Sequence, residues 1–243
     1  MSLDGRGIVV TRPRELAPGL ARLIAQARGR AILFPALEIE DLPLPESLRR
    51  PEAFDLAIFI SPTAVSKAMQ HASRWPRVAA VGPGTRRELE KRGVPAVMAP
   101  QRGADSEALL ALQELQSMAG KRVLIVRGEG GRELLGDTLS SRGARVEYAE
   151  CYRRVRPDAD PGPLLAAWSK GEVHAVTVAS SESLDNLYAI LGKPGEARLR
   201  ETPLFVPHAR VASSAAQRGV RETLIAGPGD DEMFERLVAY FAT

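Results

Sequence analysis

The chain has little of the chemistry that most enzymes advertise. Its single cysteine, Cys151, excludes an internal disulfide and any thiolate metal cluster. Its three histidines, His71, His174 and His208, stand far apart with no ligand spacing, so metal chemistry is not expected. Aromatic residues are only 5% and do not alternate with a basic tract, which argues against nucleic acid as a partner. No apolar run approaches the roughly 18 residues of a membrane span, and the amino terminus "MSLDGRGIVV" lacks the basic-then-apolar pattern of an export signal, so a cytoplasmic location is expected. Lysine is scarce too: 28 of the 33 basic residues are arginine. That bias either reflects genome composition or serves planar, bidentate recognition of carboxylates or phosphates.

What is present is a rhythm. Short apolar runs, "GIVVT", "AILFP", "LAIFI", "VAAV", "AVMAP", "RVLIV", "ARVEYA", "AVTVA", "PLFV" and "ETLIAG", alternate with amphipathic stretches, as buried parallel strands with crossover helices require. The class is α/β. With 243 residues there is room for two lobes of about 120.

A weak internal repeat supports two lobes. The segment from Gly7 aligns with that from Val123, placing Arg14-Glu15-Leu16 on Arg132-Glu133-Leu134. "LAIFISPTAVSKAM" pairs with "AVTVASSESLDNLY", setting Ser61 against Ser180, and "VAAVGPGTRRELEKRG" pairs with "LFVPHARVASSAAQRG". The copy of the first unit falls between the other pairs, so a simple tandem and an interleaved arrangement both fit.

The glycine-rich "VRGEGGREL" raises the question of a nucleotide site. A dinucleotide fingerprint needs a sixth-position glycine, but counting from Gly128 that position is Glu133, and the Lys-Ser/Thr of a P-loop is absent. A carboxylate or other anion on the helix amino terminus, or a plain tight turn, remains. Ser61, Gly82, Thr85 and Ser180 each follow a strand and open a helix. Each reads as a cap, yet together they line the carboxyl ends of parallel strands, where open α/β sheets bind ligands. Tyr152 ends "ECY" as either a hydrogen-bond donor or a packing residue. Cys151 reads as a small apolar residue, and His208 as a helix-opening residue.

The series "VVTRP", "FDLAIFISPTAV", "VAAVGPGTRREL", "VLIVRGEGGRELL" and "GARVEYAECYRRV" resembles the uroporphyrinogen-III synthase family along essentially the whole chain. The resemblance implies two similar parallel-sheet lobes joined by two extended linkers, the second inserted into the first. Residues 1–38 and 157–243 would form one lobe and 39–156 the other, with crossings at "ALEIEDLP" and "ECYRRVRP". It also implies a cyclising lyase that needs no cofactor. Such an enzyme loses the terminal hydroxyl of hydroxymethylbilane as water, forms a spiro intermediate and inverts ring D to give uroporphyrinogen III, in haem and sirohaem biosynthesis. Tyr152 would assist hydroxyl departure, and Ser61, Gly82, Thr85, Arg127, Gly128, Ser180 and His208 would bind the substrate's carboxylates. Where many members have a "GPTT"-like turn this chain has "VPHARVA", so His208 replaces a glycine and Val211 a threonine, and backbone amides are expected to make that contact. The expected partner is the small substrate alone, with no nucleic acid or membrane, and a monomeric state is expected. The alternative is a two-lobed cytoplasmic binding protein for a small anionic metabolite.

Overall fold

Short apolar runs form the strands, those at the centre of each sheet buried on both faces, and the amphipathic stretches form the helices that cover them. The structure is a computed structural model that describes residues 2–242. In chain order, β1 (Gly7–Val10), α1 (Pro18–Gln26) and β2 (Arg30–Leu33) are followed by β3 (Glu38–Asp41). Next come β4 (Leu56–Phe59), α2 (Pro62–Ala68), β5 (Arg77–Ala80), α3 (Pro83–Lys91), β6 (Val97–Met98), α4 (Ser106–Leu110), β7 (Arg122–Gly128), α5 (Leu134–Ser141) and β8 (Arg145–Val155). The chain finishes with α6 (Gly162–Ser169), β9 (Ala175–Thr177), α7 (Ser181–Glu201), β10 (Leu204–Val206), α8 (Ala209–Gln217), β11 (Thr223–Ile225) and α9 (Asp230–Phe241). None of these helices is long and apolar enough to cross a membrane.

Two compact units result. The first comprises Met1–Glu38 with Val155–Thr243, and the second, inserted unit is Ile39–Arg154. The first unit's sheet has the order β11-β10-β9-β1-β2, with every pair parallel. The inserted unit's sheet has the order β3-β8-β7-β4-β5-β6, parallel from β8 to β6. Setting β1 on β7, β2 on β8, β9 on β4, β10 on β5 and β11 on β6 turns one order into the other. The pairs that the sequence repeat aligns therefore hold equivalent positions in the two sheets.

Strand alternation divides each unit's core in two. In the first unit Val9 packs on one face with Leu187 and Val206, while Ile8 and Val10 pack on the other with Leu20 and Leu237. In the inserted unit Ala57, Phe59, Leu124 and Val126 join Val65 and Leu89 on one face; Leu56, Ile58 and Ile125 join Leu109 and Leu139 on the other.

The two crossing segments are strands rather than free linkers. "EIED" is β3, and β8 continues through "CYRRV" to Val155. They are neighbours in the sheet, with Leu42 N–H donating to the Cys151 carbonyl at 3.2 Å and Arg153 bonded to Glu40 at 2.8 Å. Pairing satisfies backbone groups that an isolated linker would leave to water.

Candidate active site

Tyr152 is aimed by an irregularity in its strand. The β7–β8 register runs regularly from Arg122↔Arg145 to Arg127↔Glu150, then shifts so that Gly128 faces Tyr152 and Cys151 is the extra residue. Without the bulge, Tyr152 would point to the opposite face from Cys151. With it, Ala149, Cys151 and Tyr152 all enter one core cluster with Phe59 and Val126.

Gly128 makes room for the ring. A Cβ at that position would lie 2.7 Å from two Tyr152 ring carbons, inside any normal contact. The Glu129 N–H donates to the Tyr152 carbonyl at 2.7 Å, fixing the backbone at the same point. The side chain is 5% exposed, and its hydroxyl lies 3.0 Å from the Ser61 Oγ. Ser61, extended at φ −154°, caps α2 by accepting the Ala64 N–H at 3.0 Å. That bond uses one lone pair of the hydroxyl, leaving its proton and its other lone pair for the phenol. When Ser61 donates, the phenolic proton is released for a third oxygen.

Arg127 and the glycine turn share two carboxylates of the chain itself. Arg127 is buried, with its guanidinium 2.9 Å from Glu133, 3.0 Å from Glu150 and 3.8 Å above the Tyr148 ring. Gly130 and Gly131 take positive φ, 71° and 109°, and the Gly130 N–H donates to Glu150 at 3.2 Å. The turn thus binds an anion, as the sequence allows, but that anion is the chain's own carboxylate. Arg127 thus stands between two carboxylates of its own unit and also lines the cavity beside them. Burial and the neighbouring Glu133 push the Tyr148 phenol up to about 12. Glu133 in turn is held below the usual carboxylate range by the Tyr148 hydroxyl and by Arg127. A cavity of about 200 Å³, lined in part by Ile60, Val81, Ser106, Leu135 and Tyr148, opens beside this network.

The remaining residues separate by burial. Gly82 caps α3 at the end of β5 without a side chain, and a Cβ there would meet Ala104 at 3.1 Å. Thr85, at the third residue of α3, is only 4% exposed. In the first unit, Ser180 caps α7 by accepting the Ser183 N–H at 3.0 Å. His208 is exposed at the cap position of α8 and makes no side-chain capping bond, while Val211 is buried in the core. The inserted unit therefore gathers Tyr152, Ser61 and Gly128 into one contact set, with Arg127 adjacent and Gly82 on the next strand end; Ser180 and His208 belong to the first unit. Glu133, Tyr148 and Glu150 are the residues that sequence reasoning missed, although the β7–β8 register brings Glu150 opposite Arg127. Cys151 is buried and its thiol is pushed up to about 11 by that burial, in keeping with an unreactive apolar residue. No group of three or more His, Cys, Asp or Glu among the described residues could hold a metal ion.

Comparison with known proteins identifies the family. A family model described as uroporphyrinogen-III synthase HemD matches residues 19–235. The chain is 35% identical over 241 residues to the uroporphyrinogen-III synthase of Escherichia coli K12, covering 94% of this chain and 98% of that one. It is 34% identical over 241 residues, with the same coverage, to the corresponding enzyme of Salmonella typhimurium LT2. In fold it is similar to uroporphyrinogen-III synthetase from Helicobacter pylori, with a TM-score of 0.60 at 15% identity over 97% of this chain and 99% of that chain. A mutant uroporphyrinogen III synthase from Thermus thermophilus gives a TM-score of 0.59 at 20% identity over 97% of this chain and 100% of that chain.

Proposed function

The chain belongs to the uroporphyrinogen-III synthase family, and from that premise we propose that Tyr152 carries its catalytic hydroxyl. The activity is that of a cyclising lyase: hydroxymethylbilane loses water and closes to uroporphyrinogen III with ring D inverted. The family match leaves no support for a pure binding protein.

The observation that carries the role of Tyr152 is the 3.0 Å contact between its hydroxyl and Ser61, at the amino end of α2. As the carbon–oxygen bond of the terminal hydroxymethyl group breaks, its electron pair goes to oxygen and the pyrrole nitrogen supplies electrons to the carbon. A proton from Tyr152 turns the departing hydroxide into water, and the Ser61 proton stabilises the phenolate oxygen left behind. Because the α2 amides already hold Ser61, the donor is positioned before substrate arrives. Ring D then attacks the electrophilic carbon to form the spiro intermediate, which fragments and recloses, and the proton lost from the ring-D carbon at closure restores the Tyr152 phenol. No electrons are gained or lost overall, so the chemistry calls for no redox cofactor.

Substrate carboxylates are assigned to the helix amino ends at Ser61, Gly82, Ser180 and His208, where backbone N–H groups favour anions. Gly128 contributes by seating Tyr152. The protein is proposed to act as a cytoplasmic monomer on this small substrate, without nucleic acid or membrane. Replacing Tyr152→Phe should lower kcat by about a hundredfold or more, with KM within a few-fold and the melting temperature nearly unchanged. An unaltered kcat would remove Tyr152 from the chemistry.

A further inference from the structure

One cavity of the inserted unit takes no part in this chemistry. Its volume is about 940 Å³, and it lies at the amino end of β5, where Arg77 opens the strand. Tyr152 and Ser61 lie instead at the carboxyl-end side of the same parallel sheet. Its volume is within the range of about 300–1,000 Å³ typical of small-molecule sites.

The walls offer an aromatic face. Trp75 is half-buried, packs against Phe59 with ring centroids 5.1 Å apart, and donates its indole N–H to the Ala72 carbonyl at 3.2 Å. Its polar group is therefore satisfied locally, and the side chain brings only ring surface to the cavity. Met69, Val94 and Met98 continue the apolar lining.

The charges are selective. Arg86 is paired with Glu90 at 2.7 Å, and Arg92 with Glu88 at 3.1 Å. Arg77 and Glu114 line both this cavity and a smaller one of about 220 Å³ beside it, and neither has a side-chain hydrogen-bond or ion-pair partner among the described residues. One cation and one anion are thus left for a ligand. A simple anion would meet Glu114 and a simple cation would meet Arg77, whereas a zwitterion satisfies both.

We propose that this cavity is a second binding site, for a small aromatic zwitterion of the amino-acid type. Its ring lies against Trp75, its carboxylate meets Arg77 and its ammonium meets Glu114. The site is independent of the synthase chemistry, and its occupancy can be measured without turnover.

Isothermal titration calorimetry of the full chain with L-phenylalanine, phenylacetate and phenethylamine tests it. Phenylalanine should give saturable heat at one site, and each analogue lacking one charge should bind about tenfold more weakly. Arg77→Ala should weaken phenylalanine and phenylacetate while sparing phenethylamine. Glu114→Gln should weaken phenylalanine and phenethylamine while sparing phenylacetate. Both residues are exposed and unpaired, so the variants should melt with the parent. Absence of saturable heat, equal binding of the three compounds, or indifference to both substitutions would each overturn the proposal.

Discussion

Tyr152 owes its placement to residues that do no chemistry. Gly128 supplies the absence of a side chain, Cys151 the extra residue of the bulge, and Ser61 the hydroxyl partner. A methyl group at position 128 would collide with the ring at 2.7 Å. Gly128→Ala should therefore cost about 1–3 kcal/mol in stability and also lower kcat, read from denaturant unfolding and steady-state turnover. A variant with normal kcat would show that the ring has freedom the close contact denies. The Cys151 thiol is raised from 9.0 to about 11, chiefly by burial. Because the folded value is the higher, its stabilising contribution is complete below pH 9 and is lost as the pH rises through 11. Iodoacetamide at pH 8 should accordingly label the native protein slowly and the denatured protein at once; rapid native labelling would contradict the burial. At this scale the sequence discloses residue types but not their partners. The pairing of Arg127 with Glu133 and Glu150 is not legible, because they become its neighbours only through the turn and the strand register.

At the scale of elements, the glycine turn and the bulge form one device. Arg127 holds the turn through Glu133 and holds β8 through Glu150, whereas Arg132 pairs with Glu107 in the open, where the two side chains are 63% and 52% exposed. Arg127→Leu should destabilise the protein by about 1 kcal/mol, since the buried guanidinium is lost while Glu133 and Glu150, 51% and 34% exposed, recover part of the loss by hydration. Arg132→Ala should leave stability nearly unchanged, as loss of an exposed pair generally does. Chemical denaturation of both variants checks the contrast, and equal losses would refute the assignment of Arg127 as the structural cation. Helix starts were legible because strand, small residue and helix follow one another in the chain, and Ser61 and Ser180 do cap α2 and α7. β3 was not legible as a strand: four residues with three carboxylates carry no apolar run, and their pairing with β8 comes from far along the sequence.

At the scale of the molecule, the repeat was the most legible feature. Parallel strands buried on both faces must be apolar throughout, so their order survives in the sequence even where individual residues do not. The two sheet orders correspond strand for strand, while the interleaving of the units could not be chosen from the repeat alone. Charge acts at this scale as well. The chain carries a net charge of +3, largely through arginine, and its substrate is polyanionic. Turnover at low substrate should fall as salt rises from low to physiological concentration, through loss of steering; a flat salt profile would rule out that contribution. The most direct test of the whole account is the isomer composition of the product formed from hydroxymethylbilane by the purified chain. Uroporphyrinogen III should form in excess over the type I isomer that arises unaided, and type I alone would contradict the assignment.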